Sequence, residues 1–326
     1  MKLKTSQIWE VFLFIVETNT TDGRIIFMIK YKGNSFAEVY RDLLIDLTEN
    51  PEYICSPRDQ KIKESLNVCL EIEDPKLCLY KNDKRSSQLK YIAAELVFYF
   101  SGRNDLAYIE KYAKFWKDIA NEDGTVNSAY GYLLFNLKNE HGKTQWEWAH
   151  DSLVKDKDSR QALMHFNMPM HQFDGNKDFV CTLNGIFHIR DNKLNFTLMM
   201  RSNDVILGLP TDVAFFCILQ QQMLHLLQYK YPELELGTYT HMVNSMHLYE
   251  RNFKIVEDML QERFIPEANA ELRCDLITDK GNMTPMMEAL HHTVTNPNDE
   301  SDIGLNKKEM SNYPGIINWI KTLLAQ

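Results

Sequence analysis

The sequence predicts an α+β (mixed α/β) fold, and three observations predict it. Short apolar runs with strand character come in pairs around turn-rich segments. Longer stretches with helical spacing fall irregularly between those pairs. No G-x-G-x-x-G turn and no P-loop opens any of these helices, which excludes a doubly wound dinucleotide-binding fold. A chain of 326 residues suits one large domain with additions, or two small ones. Its 44% hydrophobic and 25% charged content is ordinary for a globular protein with a sizeable core.

Taken in order, residues 6–32 read as two apolar strands, IWEVFLFIV and RIIFMIKY, around TNTTDG. The apolar part of this N-terminal hairpin is short and broken by Glu17, so it does not read as a convincing signal peptide and is too short to span a bilayer. Residues 35–48 have helical periodicity, a Ser35 N-cap and an Asn50-Pro51 stop. IKESLNVCLEIEDP then reads as a strand pair or one long bent strand. A mostly apolar helix over 87–100 ends at Ser101-Gly102, and an amphipathic helix follows over 105–120. Residues 147–164 form a polar helix leading into a strand. Residues 178–201 are two strands joined by the turn Arg190-Asp191-Asn192-Lys193. A long buried helix spans 211–229. TYTHMVNSMHLYE is a strand, with a helix after it over 250–263. Residues 266–326 read as irregular, with a polar linker, NPNDESD, and a last short helix, IINWIKTLLAQ. The expected division is a hairpin extension (1–33), a catalytic domain (34–265) and a C-terminal extension (266–326).

The net charge of −9 argues against a duplex nucleic acid partner, which needs a basic face. It leaves room for a nucleotide, which needs only a local arginine cluster. The six cysteines are scattered without C-x-x-C spacing, so no structural metal is expected and a reduced, cytoplasmic chain is the simple reading.

The stretch 178–212 concentrates the chemistry. It holds Cys181 in an apolar strand, Arg201-Ser202 after the next strand, a Gly208-Leu209-Pro210 turn, and Asp212 in the first turn of the long helix. By composition alone Cys181 is an inert buried thiol and Asp212 an acid favoured by the helix dipole. Glu95 sits in AAELVFYF, where an acid must be paired, neutral or functional. Arg201 with Ser202 makes a good anion pair.

In combination these segments resemble the thymidylate synthase superfamily, and within it the phage deoxycytidylate hydroxymethylases. Asp178-Phe179-Val180-Cys181-Thr182 resembles their nucleophile strand; thymidylate synthases usually carry Pro-Cys-His there. Met200-Arg201-Ser202-Asn203-Asp204, with Leu207-Gly208-Leu209-Pro210, resembles the family's phosphate segment. The chain departs from the family at Ile186, where a glutamine is usual, and at Gln161, where a second arginine is usual. It also lacks the family's short closing segment at the C-terminus.

The resemblance implies a thymidylate synthase-like fold, a large mixed sheet packed by helices, and a sheet-mediated homodimer. It implies a reaction in which a pyrimidine nucleoside monophosphate takes a one-carbon unit from 5,10-methylenetetrahydrofolate, with no metal, no nucleic acid and no membrane. Cys181 is the implied nucleophile, Glu95 the proton carrier and Tyr130 the tyrosine beside the cysteine. Arg58, Arg201 and Ser202 are implied phosphate ligands, with Arg160 reaching across the dimer. His247 and Tyr249, two apart on one strand face, are implied sugar ligands. Trp116, Asp204, Leu207 and Gly208 border the implied folate site. Asp212 stands where thymidylate synthases carry asparagine and the cytidylate enzymes aspartate. An amide matches uracil; a carboxyl accepts from the cytosine amino group and shares a proton with N3. A thymidylate synthase-type methyltransferase (hydride rather than water as the last reactant), a dUMP hydroxymethylase, ribose or deoxyribose, and a non-catalytic nucleotide-binding homologue all stay open. A phage-encoded protein would work in the host cytoplasm.

Overall fold

The computed structural model describes residues 28–268 and 275–296. The expected first strand of the N-terminal hairpin and the last short helix lie outside the described residues. A mixed sheet carries the architecture. Its path is β1 (Ile29–Gly33), β3 (Ile62–Ile72), β9 (Glu235–Tyr249), β7 (Lys193–Met200), β6 (Thr182–Arg190) and β5 (Leu163–His165), with β2 (Tyr53–Cys55) beside β3 and β8 (Asn203–Asp204) beside β9. β1 with β3, and β7 and β8 with β9, run parallel; the other pairs are antiparallel. Strand β1 therefore belongs to the main sheet, although it falls before residue 34. The fold class is α+β, as the mixture of hairpins and helices predicts.

Helix α6 (Leu209–Gln228) lies against β7 and β9 and is buried nearly all round. Its polar Gln220 is explained by a register shift in the sheet. Where β7 and β9 slip between Leu194 and Phe196, Gln220 Nε2 donates to Leu194 O at 2.9 Å and Gly237 O at 3.2 Å. The amide thus bridges the two strands at the point where their ladder slips. The β6–β7 turn has φ of 49° at Asp191 and 59° at Asn192, the left-handed pair that a two-residue hairpin requires. α1 (Phe36–Glu49) begins with the capping box at Ser35 and Glu38, and its Tyr40 hydroxyl donates to Val205 O at 2.8 Å. That bond fixes the turn leading into α6.

Of the two alternatives for IKESLNVCLEI, the structure has one long strand, β3. Three expectations change. The helix expected over 105–120 is two short ones, α3 (Leu106–Ile109) and α4 (Phe115–Ile119), because Tyr108 and Trp116 both pack on Phe98 and tight i→i−3 bonds interrupt the ladder between them. The helix expected over 250–263 is a 3₁₀ turn followed by α7 (Phe253–Leu260). The tail expected to be irregular contains β10 (Ile265–Glu267), paired with β4 (Leu79–Lys81), and α8 (Pro285–Thr295), which is capped by Thr284. The Thr284-Pro285 start was a readable N-cap signal. Arg103 Nη1 lies 3.1 Å from His291 Nε2, tying α8 to the end of α2 (Leu89–Phe100).

Gly131 sets the distance between α2 and the segment that carries Tyr130. A Cβ at Gly131 would lie 1.7 Å from Tyr99 O. Gly131→Ala must therefore push α2 away from Tyr130. We expect a loss of ~1–3 kcal/mol or more in urea unfolding, as overpacking costs; an unchanged midpoint would mean that this contact is slack.

Candidate active site

The expected residues meet where β6 begins and β7 and β9 end. Cys181 directly precedes β6, and a bulge follows it, where β6 slips against β7 between Thr182 and Asn184. Arg201, just past β7, closes this corner. Its backbone N–H donates to Cys181 O at 2.9 Å, its Nε to Val180 O at 3.2 Å, and its Nη2 to Phe179 O and, at 3.4 Å, toward Cys181 Sγ. Its Cζ lies 4.7 Å from the Phe179 ring centroid. One guanidinium thus holds the main chain of the cysteine strand and faces its sulfur. Burial pushes the Cys181 thiol up, Asp212 and Asp178 add to the rise, and the positive charges of Arg201 and Arg58 oppose it.

Tyr130 lies beside this corner. Its hydroxyl accepts from Thr182 Oγ1 at 2.9 Å, and its ring stacks on Tyr99 at 5.1 Å. Behind it, Asp178 accepts from the Ser128 N–H at 2.7 Å and from the Ser128 hydroxyl, so the loop bearing Tyr130 is tied to the strand bearing Cys181.

Glu95, 7% exposed, projects from α2. Burial raises its carboxyl to about 7, against hydrogen bonds to Oε1 from Tyr91 at 3.0 Å and Tyr99 at 3.2 Å. Tyr91 in turn accepts from Trp116 Nε1 at 3.0 Å. Asp212 is partly buried, and its carboxyl is raised well above the usual range by burial and then by the charge of Glu95. Asn203 Nδ2 donates to Asp212 Oδ2 at 2.9 Å.

His247, buried, and Tyr249 pack ring edge to ring face at 4.9 Å, with Ser202 Oγ 3.4 Å from His247 Nδ1. Burial holds the His247 imidazole below its usual value. Arg58 sits in an exposed 3₁₀ turn with φ of 52°, and its charge acts on both Cys181 and His247. Asp204 Oδ1 accepts from the N–H groups of Ile206 at 2.8 Å and Leu207 at 3.3 Å, shaping a turn that leaves Leu207 55% exposed. A Cβ at Gly208 would meet Asn203 Oδ1 at 3.0 Å and Asp212 Oδ2 at 3.4 Å, so the bare glycine lets the turn pack closely on both side chains.

Two expected residues stand apart. Trp116 is 3% exposed and packed on Phe98, so its indole serves the core and Tyr91 and offers little surface for stacking. Arg160 is exposed in the loop between α5 (Gln145–Lys155) and β5, near the Arg190 end of β6. Nine residues of β6 separate that end from Cys181, roughly 30 Å at strand rise, so Arg160 is not brought to its own chain's site.

Several members of the constellation were not foreseen. Tyr91 and Tyr99 lie four residues either side of Glu95, a helical spacing that was readable. Asn203, His241 and Tyr239 form a buried chain behind Asp212, and only the alternation of β9 hinted at it. Among the described residues no cluster of three or more His, Cys, Asp or Glu could hold a metal ion.

The sequence model of the thymidylate synthase family matches residues 70–288. The chain belongs to the thymidylate synthase family. It is 32% identical over 175 residues to the deoxycytidylate 5-hydroxymethyltransferase of Enterobacteria phage T6, covering 52% of this chain and 70% of that protein. It is 25% identical over 244 residues to the deoxyuridylate hydroxymethyltransferase of Bacillus phage SP01, covering 71% of this chain and 62% of that protein. Among solved structures, the thermostable thymidylate synthase A of Bacillus subtilis shares the fold, with a TM-score of 0.61 at 19% identity over 77% of this chain and 92% of that one.

The desolvated Glu95 has a consequence for stability. Its folded value, about 7, lies above the ordinary 4.5, so its contribution is fully present below pH 4.5 and is lost as pH rises through 7. Glu95→Gln cannot ionise. The stability of the wild type relative to Glu95→Gln should therefore fall between pH 5 and pH 8, by on the order of 3 kcal/mol. Denaturant melts at both values check this; a difference independent of pH would show that Glu95 is not the desolvated acid.

Proposed function

We propose that this protein is a pyrimidine nucleotide 5-hydroxymethyltransferase that converts a cytidylate, dCMP or CMP, to its 5-hydroxymethyl form. The observation that carries this reading is a carboxyl, Asp212, rather than an amide, in the wall it shares with the Cys181 thiol and the desolvated Glu95. The similarity to a phage enzyme named for deoxycytidylate supports it. 5,10-Methylenetetrahydrofolate, when bound, supplies the one-carbon unit. The exposed Leu207 and the bare backbone of Gly208 would border its ring system, with Asp204 shaping that turn; Trp116 would support the site from within the core. Tetrahydrofolate is the co-product.

In this reading the Cys181 sulfur bonds to C6 of the ring, and the electron pair of the C5–C6 double bond makes C5 nucleophilic. Arg201 steadies the attacking sulfur through its charge and holds its main chain in place. Glu95, poised near neutral, takes and returns protons at the ring and orders water. Once C5 has gained its substituent, its proton is lost as the bond from the new carbon to the folate nitrogen breaks and tetrahydrofolate departs; water would then add to the exocyclic carbon, and Cys181 leaves C6 as the double bond re-forms. Tyr130, whose hydroxyl accepts from Thr182, keeps its own proton free to donate near the cysteine. Arg58, Arg201 and Ser202 bind the phosphate, and His247 with Tyr249 the sugar. The site would work in the cytoplasm of a phage-infected host.

A second reading, action on a uridylate, is favoured by one observation. Burial and the charge of Glu95 favour the protonated form of Asp212, and a neutral carboxyl offers one donor and one acceptor, as an amide does. The SP01 relative is named for deoxyuridylate. Incubation with each of the four pyrimidine monophosphates and the folate, followed by mass analysis, tests both readings. We expect a 5-hydroxymethyl cytidylate with no dihydrofolate absorbance. Stoichiometric dihydrofolate would reassign the protein as a methyltransferase. Loss of turnover in Cys181→Ser, with nucleotide binding retained, is required; a near-normal rate would remove the nucleophile. Asp212→Asn should reverse or flatten the kcat/KM preference for cytidylate over uridylate by ~1–3 kcal/mol, the cost of one mismatched buried hydrogen bond.

We further propose that the protein acts as a sheet-mediated homodimer in which Arg160 reaches the partner's phosphate site. The half-buried sheet residues Ile186, Thr197, Met199, Thr240 and Met242, and the distance of Arg160 from its own Cys181, support this. Mixing Arg160→Ala with Cys181→Ser chains should restore about one competent site per mixed dimer. A verified mixed dimer without activity would count against the shared site.

A further inference from the structure

The carboxyl of Asp212 has unequal oxygens. Oδ2 accepts from Asn203 Nδ2 at 2.9 Å, whereas Oδ1 makes no hydrogen bond to the described residues and the side chain is only partly buried. Asn203 is itself 3% exposed, and its Nδ2 also lies 3.4 Å from His241 Nε2. His241 is fully buried, and its Nδ1 lies 2.7 Å from the hydroxyl of Tyr239, which is fully buried too.

This chain has a hydrogen-bond sense. Burial holds His241 down to about 3, so its ring is neutral at any working pH and has one donor and one acceptor nitrogen. If Nδ1 carries the proton it donates to Tyr239, and Nε2 is the acceptor that an amide N–H₂ can meet. Three acceptors surround Asn203 Nδ2: Asp212 Oδ2, His241 Nε2 and, at 2.8 Å, Met200 Sδ; together they hold the amide with its nitrogen toward the carboxyl. The reverse orientation would set the amide oxygen against Asp212 Oδ2, and that contact is tolerable only with a proton on Oδ2.

The consequence falls on the base. A protonated carboxyl is ambiguous, because either oxygen can be the donor. Cytosine asks for an acceptor opposite its 4-amino group and a proton opposite N3; uracil asks for the reverse. A donor fixed on Oδ2 makes that oxygen the acceptor and confines any proton to Oδ1. We propose that Asn203, oriented by His241 and Tyr239, is a specificity-determining positioning residue that keeps Oδ2 of Asp212 an acceptor and so limits the site to one of the two pyrimidine patterns. The proposal rests on the reading that Asp212 faces the base edge.

The test compares deoxycytidylate with deoxyuridylate, by kcat/KM and by calorimetric dissociation constants. Asn203→Ala should move the ratio between them toward unity by about tenfold or more, the scale on which one unpaired polar group in a closed site discriminates. Tyr239→Phe removes a single buried oxygen and frees the His241 tautomer; it should move the ratio in the same direction by a smaller factor. It also serves as the informative variant if Asn203→Ala does not fold. A purely structural role would lower both nucleotides equally and leave the ratio fixed in both variants, which would overturn the proposal. Asp212→Asn separates the two levels. If it shifts the ratio and the Asn203 and Tyr239 variants do not, this inference alone falls. If Asp212→Asn shifts nothing, the reading of Asp212 falls, and this inference with it.

Discussion

Two carboxyl groups on one desolvated wall constrain everything around them. Glu95 and Asp212 each resist ionisation by burial, and the charge of Glu95 makes that of Asp212 harder still. The wall tolerates one charge more readily than two. The local hydrogen bonds favour Glu95 as the site of that charge, since two phenols donate to its Oε1 and Asp212 receives one amide. A neutral Asp212 also helps the thiol. Its charge is among the influences that push Cys181 up, so removing it leaves the pull of Arg201 and Arg58 less opposed. The base-reading residue and the nucleophile are thus coupled electrostatically.

The fold supplies this wall from distant parts of the chain. α2 brings Glu95, α6 brings Asp212, and the β6–β7 hairpin places Cys181 and Arg201 side by side across its open end. Irregularities stand where these parts meet. The bulge after Cys181, the glycine that lets Tyr99 O approach residue 131, and the short β8 before the turn at Gly208 each depart from a regular ladder. Local irregularity is what lets one corner collect a thiol, two acids and an arginine, while the sheet behind it stays continuous.

Most of the regular elements were legible because their signals are local. The Ser35 cap, the Asp191-Asn192 turn and the apolar run of α6 each declare themselves within a few residues. The two short helices at 106–119 were not legible, because packing of Tyr108 and Trp116 on one phenylalanine overrides a continuous helical pattern. Within the candidate site, Cys181, Glu95, Asp212 and Arg201 stood out through motif context. Their supports did not, for a physical reason. Asn203, His241 and Tyr239 reach Asp212 through contacts between two strands and a helix, of which only the two-residue spacing of Tyr239 and His241 on β9 is written in the sequence. Trp116 illustrates the converse: the motif suggested a ligand surface, and burial assigns the indole to the core and to Tyr91.

The unequal oxygens of Asp212 bear on how pyrimidine choice can be built in this family. An asparagine carries its donor and acceptor on different atoms, so its orientation alone defines the pattern it shows a base. A carboxyl with a raised pKa has no such built-in polarity; its proton can sit on either oxygen. Exchanging one for the other therefore removes information as well as changing charge. On the proposed reading, that information is restored from behind, by an amide whose own direction is set by a neutral imidazole and a phenol buried in β9. The preference for one base would then be a property of four side chains on three elements, and the residue that touches the base would carry only the last part of it.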